Sequence, residues 1–292
     1  MPSFNDFASS QVTKMLLVGD SGSGKTGALM SLIAAGYNVR ILDLDAGVAV
    51  LNDYLKNPNS IYTRPFPGLW TAEQAKTLLT RVCYETVTDK MRNVNGKLVP
   101  KQATVWQRAA KLLDGWPEFG PISSWTPQDV LVIDSLTFLC NGALNFVLMM
   151  NGRLGQQPHQ SDWYQAQQLV EALLQMLYDD NVGCNVIVNC HVVLIGEENG
   201  PQRAYPASLG KALSPKIGRY FNTVLMAKTV GTGTAAKHKI LTQSANGLEL
   251  KTTVPLKAKA EYDLATGLAE YFAAERQQDA PAAVAATGRP SP

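Results

Sequence analysis

Five short runs of consecutive apolar residues punctuate the chain: K-M-L-L-V-G (residues 14–19), V-R-I-L-D-L (39–44), V-L-V-I-D (130–134), N-V-I-V-N (185–189) and T-V-L-M-A (223–227). Runs that stay apolar without alternating predict strands covered on both faces, as in a parallel sheet flanked by helices. Residues 26–35 have helix composition and Gly36 suits the position after a helix end. Strand, loop, helix and strand then fit into about 30 residues, the length of a βαβ unit with a right-handed crossover.

Further along, T-A-E-Q (71–74) and T-V-W-Q (104–107) both match the capping box, and the second helix should stop near Gly115. Residues 116–128 are rich in Pro, Gly and Ser and read as a surface loop. Residues 138–150 read as a core helix, because Asn141, Gly142 and Asn145 interrupt an apolar run too short to span a membrane. On a helix over 162–179, Trp163, Ala166, Val170, Leu173, Leu174 and Leu177 share one face. Residues 238–243 and 248–254 predict a hairpin about Asn246-Gly247. Residues 1–13 read as an arm, 14–275 as the core, and 276–292 as a disordered Ala/Pro-rich tail.

Composition narrows this little. The 292 residues are 46% hydrophobic and 17% charged, enough for one large core. Neither a signal peptide nor a transmembrane run is apparent, and four cysteines without C-x-x-C spacing suggest a reducing cytoplasm. Cys190-His191 alone is too little for a metal site. The net charge of +2 hides a gradient: residues 201–260 hold ten Lys/Arg and one acid, Glu249.

The candidate chemistry starts at G-D-S-G-S-G-K-T, Gly19 to Thr26. Spaced G-x-x-x-x-G-K-[ST], this loop turns backbone N–H groups onto phosphate oxygens, and the following helix adds its positive end. Gly19, Asp20, Ser21, Gly22, Ser23, Gly24, Lys25, Thr26 and Gly27 are the expected ATP cradle. Lys25 is expected to reach the β- and γ-phosphates, and the Thr26 hydroxyl to ligate Mg²⁺. Asp134, ending V-L-V-I-D, is the expected second Mg²⁺ anchor. Ser135 follows it where many ring ATPases place a glutamate, so the carboxylate that orients water must lie elsewhere. L-D-L-D-A-G offers Asp43 and Asp45, with Asp45 the favoured base.

G-D-S-G-S-G-K-T, I-L-D-L-D-A-G, V-L-V-I-D-S-L and V-I-V-N-C-H, in that order, resemble the single-domain RecA-type P-loop ATPases of phages and prophages, some of which anneal single strands. The likeness covers residues 12 to 270. It implies an α/β, three-layer RecA-type P-loop core with a mainly parallel central β-sheet and a C-terminal β-hairpin. It implies Asp45 in the water-positioning role usually held by Glu, and His191 as γ-phosphate sensor with Asn189 in reserve. Two loops, 151–161 and 196–215, would face DNA, with Arg153, Arg203, Tyr205, Lys211 and Lys216 as contacts. Lys257 and Lys259, spaced K-x-K, would act across a subunit interface, with Arg219 and Lys216 as rivals.

The expected protein is thus an ATP-hydrolysing, Mg²⁺-dependent RecA-like ATPase in the cytoplasm of a bacterial host. It would act on single-stranded DNA in phage recombination, self-associated as a ring or filament, with a single-strand binding protein as a further partner and no membrane contact. A nucleotide-dependent switch or helicase-loading partner is the alternative. A small-molecule kinase fits less well, since the loops offer only Arg153 and Arg203 for a lid.

Overall fold

The structure is a computed structural model that describes residues 12–56, 71–94, 96–196, 202–233, 236–244 and 247–276. Strand β1 (Lys14–Val18), helix α1 (Lys25–Ala34) and strand β2 (Asn38–Asp43) form the expected first unit. Helices α2 (Ala49–Lys56) and α3 (Ala72–Leu79) lead to β3 (Val82–Thr86) and a small ribbon, β4 (Met91–Val94) with β5 (Lys97–Pro100). Helix α4 (Val105–Asp114), β6 (Asp129–Asp134), α5 (Leu136–Met150), α6 (Gln160–Tyr178) and β7 (Asn185–Cys190) follow. A second ribbon pairs β8 (Val192–Ile195) with β9 (Arg203–Pro206). One helical turn, α7 (Gly210–Leu213), runs into a 3₁₀ segment, Ser214–Tyr220. The described chain closes with β10 (Thr223–Val230), β11 (Lys237–Leu241), β12 (Glu261–Asp263) and α8 (Gly267–Arg276).

Eight strands make one sheet in the order β12-β11-β10-β1-β7-β6-β2-β3. The six from β10 to β3 are parallel, and β11 and β12 add an antiparallel C-terminal edge. The alternation of side chains on β1 divides the core. Leu16 and Val18 pack with α4, α5 and α6 on one face, Met15 and Leu17 with α1, α2, α3 and α8 on the other. This is the three-layer arrangement expected of long apolar strands. No helix among the described residues is long and apolar enough to cross a membrane.

Four local expectations are corrected. The antiparallel element pairs β11 with β10 and β12, not 238–243 with 248–254. Both edges of β11 are therefore taken, and the later segment instead bridges Lys251 to Val224; Asn246 lies outside the described residues. Thr71 and Gln74 form their capping box, with bonds of 2.8 and 3.2 Å, but Thr104 does not. The Asp89 carboxylate accepts from both its N–H and its hydroxyl at 2.8 Å, outcompeting Gln107.

The stretch 116–128 is no ordinary surface loop: Trp116, Ile122 and Trp125 are buried. Arg40 stacks on Phe119 and Trp125, 4.0 and 4.7 Å from their centroids, while pairing with buried Asp129 at 2.6 Å. Residues 196 and 202–215, the described part of the expected loop 196–215, are not plain loop either. They contain β9 and α7, because β8 offers β9 a hydrogen-bonding partner and Leu209 and Leu213 have core to enter.

Candidate functional site

The loop between β1 and α1 is shaped by close approaches. A Cβ on Gly19 would lie 2.4 Å from the Ala227 carbonyl oxygen of β10, so only glycine lets the strand end there. Gly24 sits at φ 96, in the left-handed region, immediately before the first turn of α1. Its absent Cβ would also meet Leu264 at 2.9 Å. Asp20, Ser21 and Gly22 are exposed, while Ser23 is buried with a hydroxyl that has no hydrogen-bond partner among the described residues. Lys25, 7% exposed, donates to the carbonyls of Gly19 and Asp20 at 2.7 and 2.9 Å. Its ammonium is thus held at the loop mouth, and burial lowers its pKa, opposed by Asp134.

Thr26, in the first turn of α1, donates its hydroxyl to Asp134 Oδ2 at 2.7 Å. The bond spans the sheet order, since β7 lies between β1, which leads into the loop before α1, and β6, which Asp134 ends. Burial pushes the Asp134 carboxyl up to about 6; the Thr26 bond opposes this and Asp45 adds to it. A hydroxyl and a carboxylate side by side, both oxygen donors, fit a small hard cation such as Mg²⁺. Neighbouring groups support that fit. Ser135 and Asn189 are 0% exposed, and their side chains make no hydrogen bond of ordinary geometry, although the Asn189 amide lies against Asp134. A cation with its bound water would satisfy such orphaned polar atoms. The Asp134–Ser135 peptide is cis.

At the end of β2 the two acids part company. Asp43 is 1% exposed; it accepts from Thr86 Oγ1 at 3.0 Å and from the Gly47 N–H at 3.1 Å. Burial raises its pKa, and its bonds hold the strand end together. Asp45 lies beyond the strand and is partly open, with Oδ1 accepting from Gly47 N–H at 3.0 Å. Its charge acts on Lys25, Asp134 and His191. Ala46, directly after Asp45, has φ 59, a left-handed conformation uncommon outside glycine. A Cβ on Gly47 would come within 2.8 Å of Asp45 Oδ1 and 3.9 Å of Thr26 Oγ1, so glycine here lets the turn lie close to both side chains.

His191 follows β7 directly. Its ring meets Phe138 edge-on at 6.2 Å, and its pKa is lowered by burial and by Lys25. Asn189 lies two residues back, paired in register with Asp134. Thr137, not anticipated from sequence, joins this end of the sheet to the second ribbon: its hydroxyl donates to the Ala207 carbonyl at 3.0 Å. Thr86 belongs to no recognisable motif, and Gly47, although it ends I-L-D-L-D-A-G, was not singled out.

The remaining candidates are scattered. Arg153 forks onto buried Asp162, which it holds below the ordinary carboxylate range, so its donors are largely engaged within the chain. Arg219 pairs with Glu171 at 2.9 Å and Lys259 with Glu270 at 2.5 Å. Lys257 lies just before Lys259, after a turn whose N–H bonds reach Val254. Lys211 and Lys216 are exposed. Arg203 and Tyr205 line a cavity of about 340 Å³ with Arg219 and Lys251, with Glu249 at 3.5 Å from Arg203.

Known proteins give three distant structural likenesses, each below a TM-score of 0.5. The RadB recombinase shares 15% identity, with 82% of this chain and 84% of that one covered, at 0.44. A KaiC-like protein from Pyrococcus horikoshii shares 14%, covering 90% and 91%, at 0.42. An ATPase of the type III secretion system of pathogenic bacteria shares 12% at 0.43, over 73% of this chain; the match spans about half the length of that ATPase. No curated protein matches significantly. The sequence model of the AAA domain matches residues 11–254, a span that holds the phosphate loop, Asp45, Asp134 and His191, and the chain belongs to that family.

Proposed function

We propose that the chain binds ATP with Mg²⁺ and hydrolyses it. The observation that carries this reading is the Thr26–Asp134 hydrogen bond of 2.7 Å, made beside Lys25 and within the field of Asp45. Thr26 Oγ1 and Asp134 would hold Mg²⁺, which supplies charge neutralisation at the β- and γ-phosphates. The backbone N–H groups of residues 19–27 bind phosphate oxygens, and Lys25 turns from its loop carbonyls to the γ-phosphate. Asp45 orients a water for attack on the γ-phosphorus and accepts its proton. The new P–O bond forms as the bond to the β-phosphate oxygen breaks, and ADP leaves with that electron pair. His191 and Asn189 contact the γ-phosphate end of the site.

ATPase assays on wild type, Lys25→Ala and Asp45→Asn test this. Both variants should lose activity, Asp45→Asn by about 10²–10⁴-fold. A rate that survives Asp45→Asn identifies another base; no turnover in wild type favours a nucleotide-dependent switch or helicase-loading partner. That second reading has one observation behind it: Asp45 Oδ1 is already engaged by Gly47 N–H, on a side chain one methylene shorter than glutamate.

The finer proposal is that ATP binding governs action on single-stranded DNA, in recombination or annealing by a self-associated ring or filament. Ten cations against one acid in residues 201–260 support it, with Arg203, Lys211 and Lys216 exposed. If about five cations meet phosphates, log K should fall with log salt at a slope near −3.5 for a single strand. Binding that ignores salt and ATP would refute it.

A further inference from the structure

The ribbon β4–β5 carries a second basic surface, outside the segment where charge is most concentrated. Residues 90–113 contain Lys90, Arg92, Lys97, Lys101, Arg108 and Lys111 and no acid. All six are exposed, and none forms an ion pair among the described residues.

The ribbon is anchored firmly at its foot. Lys101 N–H donates to the Lys90 carbonyl at 2.7 Å, Asp89 binds Thr104, and Arg108 donates to the carbonyls of Thr86 and Thr88 at 3.2 Å. Residues facing each other across the pair share a side, and the register opposes Met91 to Pro100, Arg92 to Val99, Asn93 to Leu98 and Val94 to Lys97. One side is thus Met91, Asn93, Leu98 and Pro100, and the other carries Arg92 and Lys97. Leu98 and Met91 stay 70% and 53% exposed.

Met91 and Pro100 border a cleft of about 370 Å³ with Phe138, Asn141, Asn145 and Asp45 on its walls. Phe138 is 43% exposed and also touches the His191 ring. Arg92 and Lys97 lie on the side of the ribbon opposite Met91 and Pro100, so a strand crossing the ribbon's edge meets charge for its phosphates and then, in the cleft, an exposed aromatic ring and two amides for its bases. Amides can pair with base edges.

We propose that β4–β5 and this cleft form a single-stranded nucleic-acid site, with the phosphates on Lys90, Arg92, Lys97 and Lys101 and a base against Phe138. It rests on the single-strand reading above and adds both location and regulation. Asp45 is a wall of the cleft and Phe138 touches His191, so a bound strand presses on the two groups assigned to water and γ-phosphate.

The test is fluorescence anisotropy of a labelled oligo-dT, with ATP, on wild type, Arg92→Glu/Lys97→Glu and Arg203→Glu/Lys211→Glu, with melting curves as folding controls. The ribbon variant should bind at least about tenfold more weakly, with a salt slope smaller by about 1.4. Stimulation of ATPase by the strand should fall with it. Photo-crosslinking of a bromodeoxyuridine strand to wild type, mapped by mass spectrometry, should mark residues 90–101 or 138–145. A wild type that binds no single strand overturns this site together with the DNA reading. Binding by wild type that the ribbon variant retains, or crosslinks confined to 203–216, overturns the site alone. Preference for a duplex or for anionic phosphatidylserine vesicles also overturns it.

Discussion

Asp134, the proposed cation ligand, is costly to the fold when ionised, because it is buried. With its pKa pushed up to about 6, the folded chain binds a proton that the unfolded chain, with an ordinary carboxylate, does not. Between that ordinary value, near ~4, and about 6, folding stability therefore falls as pH rises, and the loss is complete above the folded value. Asp134→Asn removes the charge and should stabilise the nucleotide-free protein at pH 7.5 by on the order of 2 kcal/mol, seen as a raised Tm. The same variant should abolish Mg²⁺-dependent nucleotide binding. In wild type, protons compete with the cation below about 6, so Mg²⁺-dependent affinity should drop about tenfold per pH unit there, measured by titration with a fluorescent ATP analogue. An affinity flat from pH 7.5 to 5 would remove Asp134 from the cation site.

Asp43 and Asp45 illustrate what a motif leaves open at this scale. The string L-D-L-D-A-G offers two acids, and nothing in it says where the strand ends. The strand stops at Asp43, which Thr86 and Gly47 then tie down, while Asp45 lies beyond it, its Oδ1 accepting from the Gly47 N–H. Thr86 sits 43 residues away, so its part in that choice was not readable beforehand.

Among elements, the capping signals divide by competition. Thr71 is exposed, and among the described residues its N–H and hydroxyl bond to Gln74, so the local rule holds, and Thr71→Ala should cost about 1 kcal/mol in urea unfolding. Thr104 obeys the same sequence rule but Asp89, 15 residues away, takes its donors. Loop 116–128 fails as a surface loop for a related reason. Its Pro/Gly/Ser content describes the backbone, while Trp116 and Trp125 decide where it lies. Arg40 fixes it to β2, and its partner Asp129 is held below the usual range: burial works against this, but bonds from Thr126, Asn38 and Arg40 prevail. Arg40→Ala leaves that carboxylate buried and unpaired and should destabilise by about 3–5 kcal/mol; Asp129→Asn in the same background should recover part of it. The central apolar strands, by contrast, were legible because continuous burial leaves an unbroken pattern. The edge strand β3 and both ribbons are short and half exposed, and their pattern resembles a loop.

For the whole molecule, the phosphate loop, Asp45, Asp134 and His191 all lie at the carboxyl ends of parallel strands, where open α/β sheets present their ligand sites. The two ribbons follow β3 and β7 at that same edge, which is why the proposed partners of the site are sought there. Arg219 and Lys259 are each paired within their own chain, with Glu171 and Glu270. If a Lys257 or Lys259 ammonium instead completes a neighbour's site, mixing Lys25→Ala with Lys257→Ala/Lys259→Ala should restore activity that neither has alone. Additive, unrecovered rates at every protein concentration would leave each site complete in one chain.

The sequence by itself determined the phosphate-loop motif, the parallel strands and the order in which that loop, the acids and the strand before His191 occur. These depend on neighbours in the chain, on spacing and on the long apolar runs that burial on two faces demands. Tertiary structure decided which acid faces the phosphate loop, which caps form, which loop is buried and where exposed cations gather. Each of those outcomes is a competition between groups far apart in sequence, such as Asp89 with Gln107 for Thr104, or β10 and β12 for the edges of β11. Their winners are set by the sheet order, which no local pattern carries.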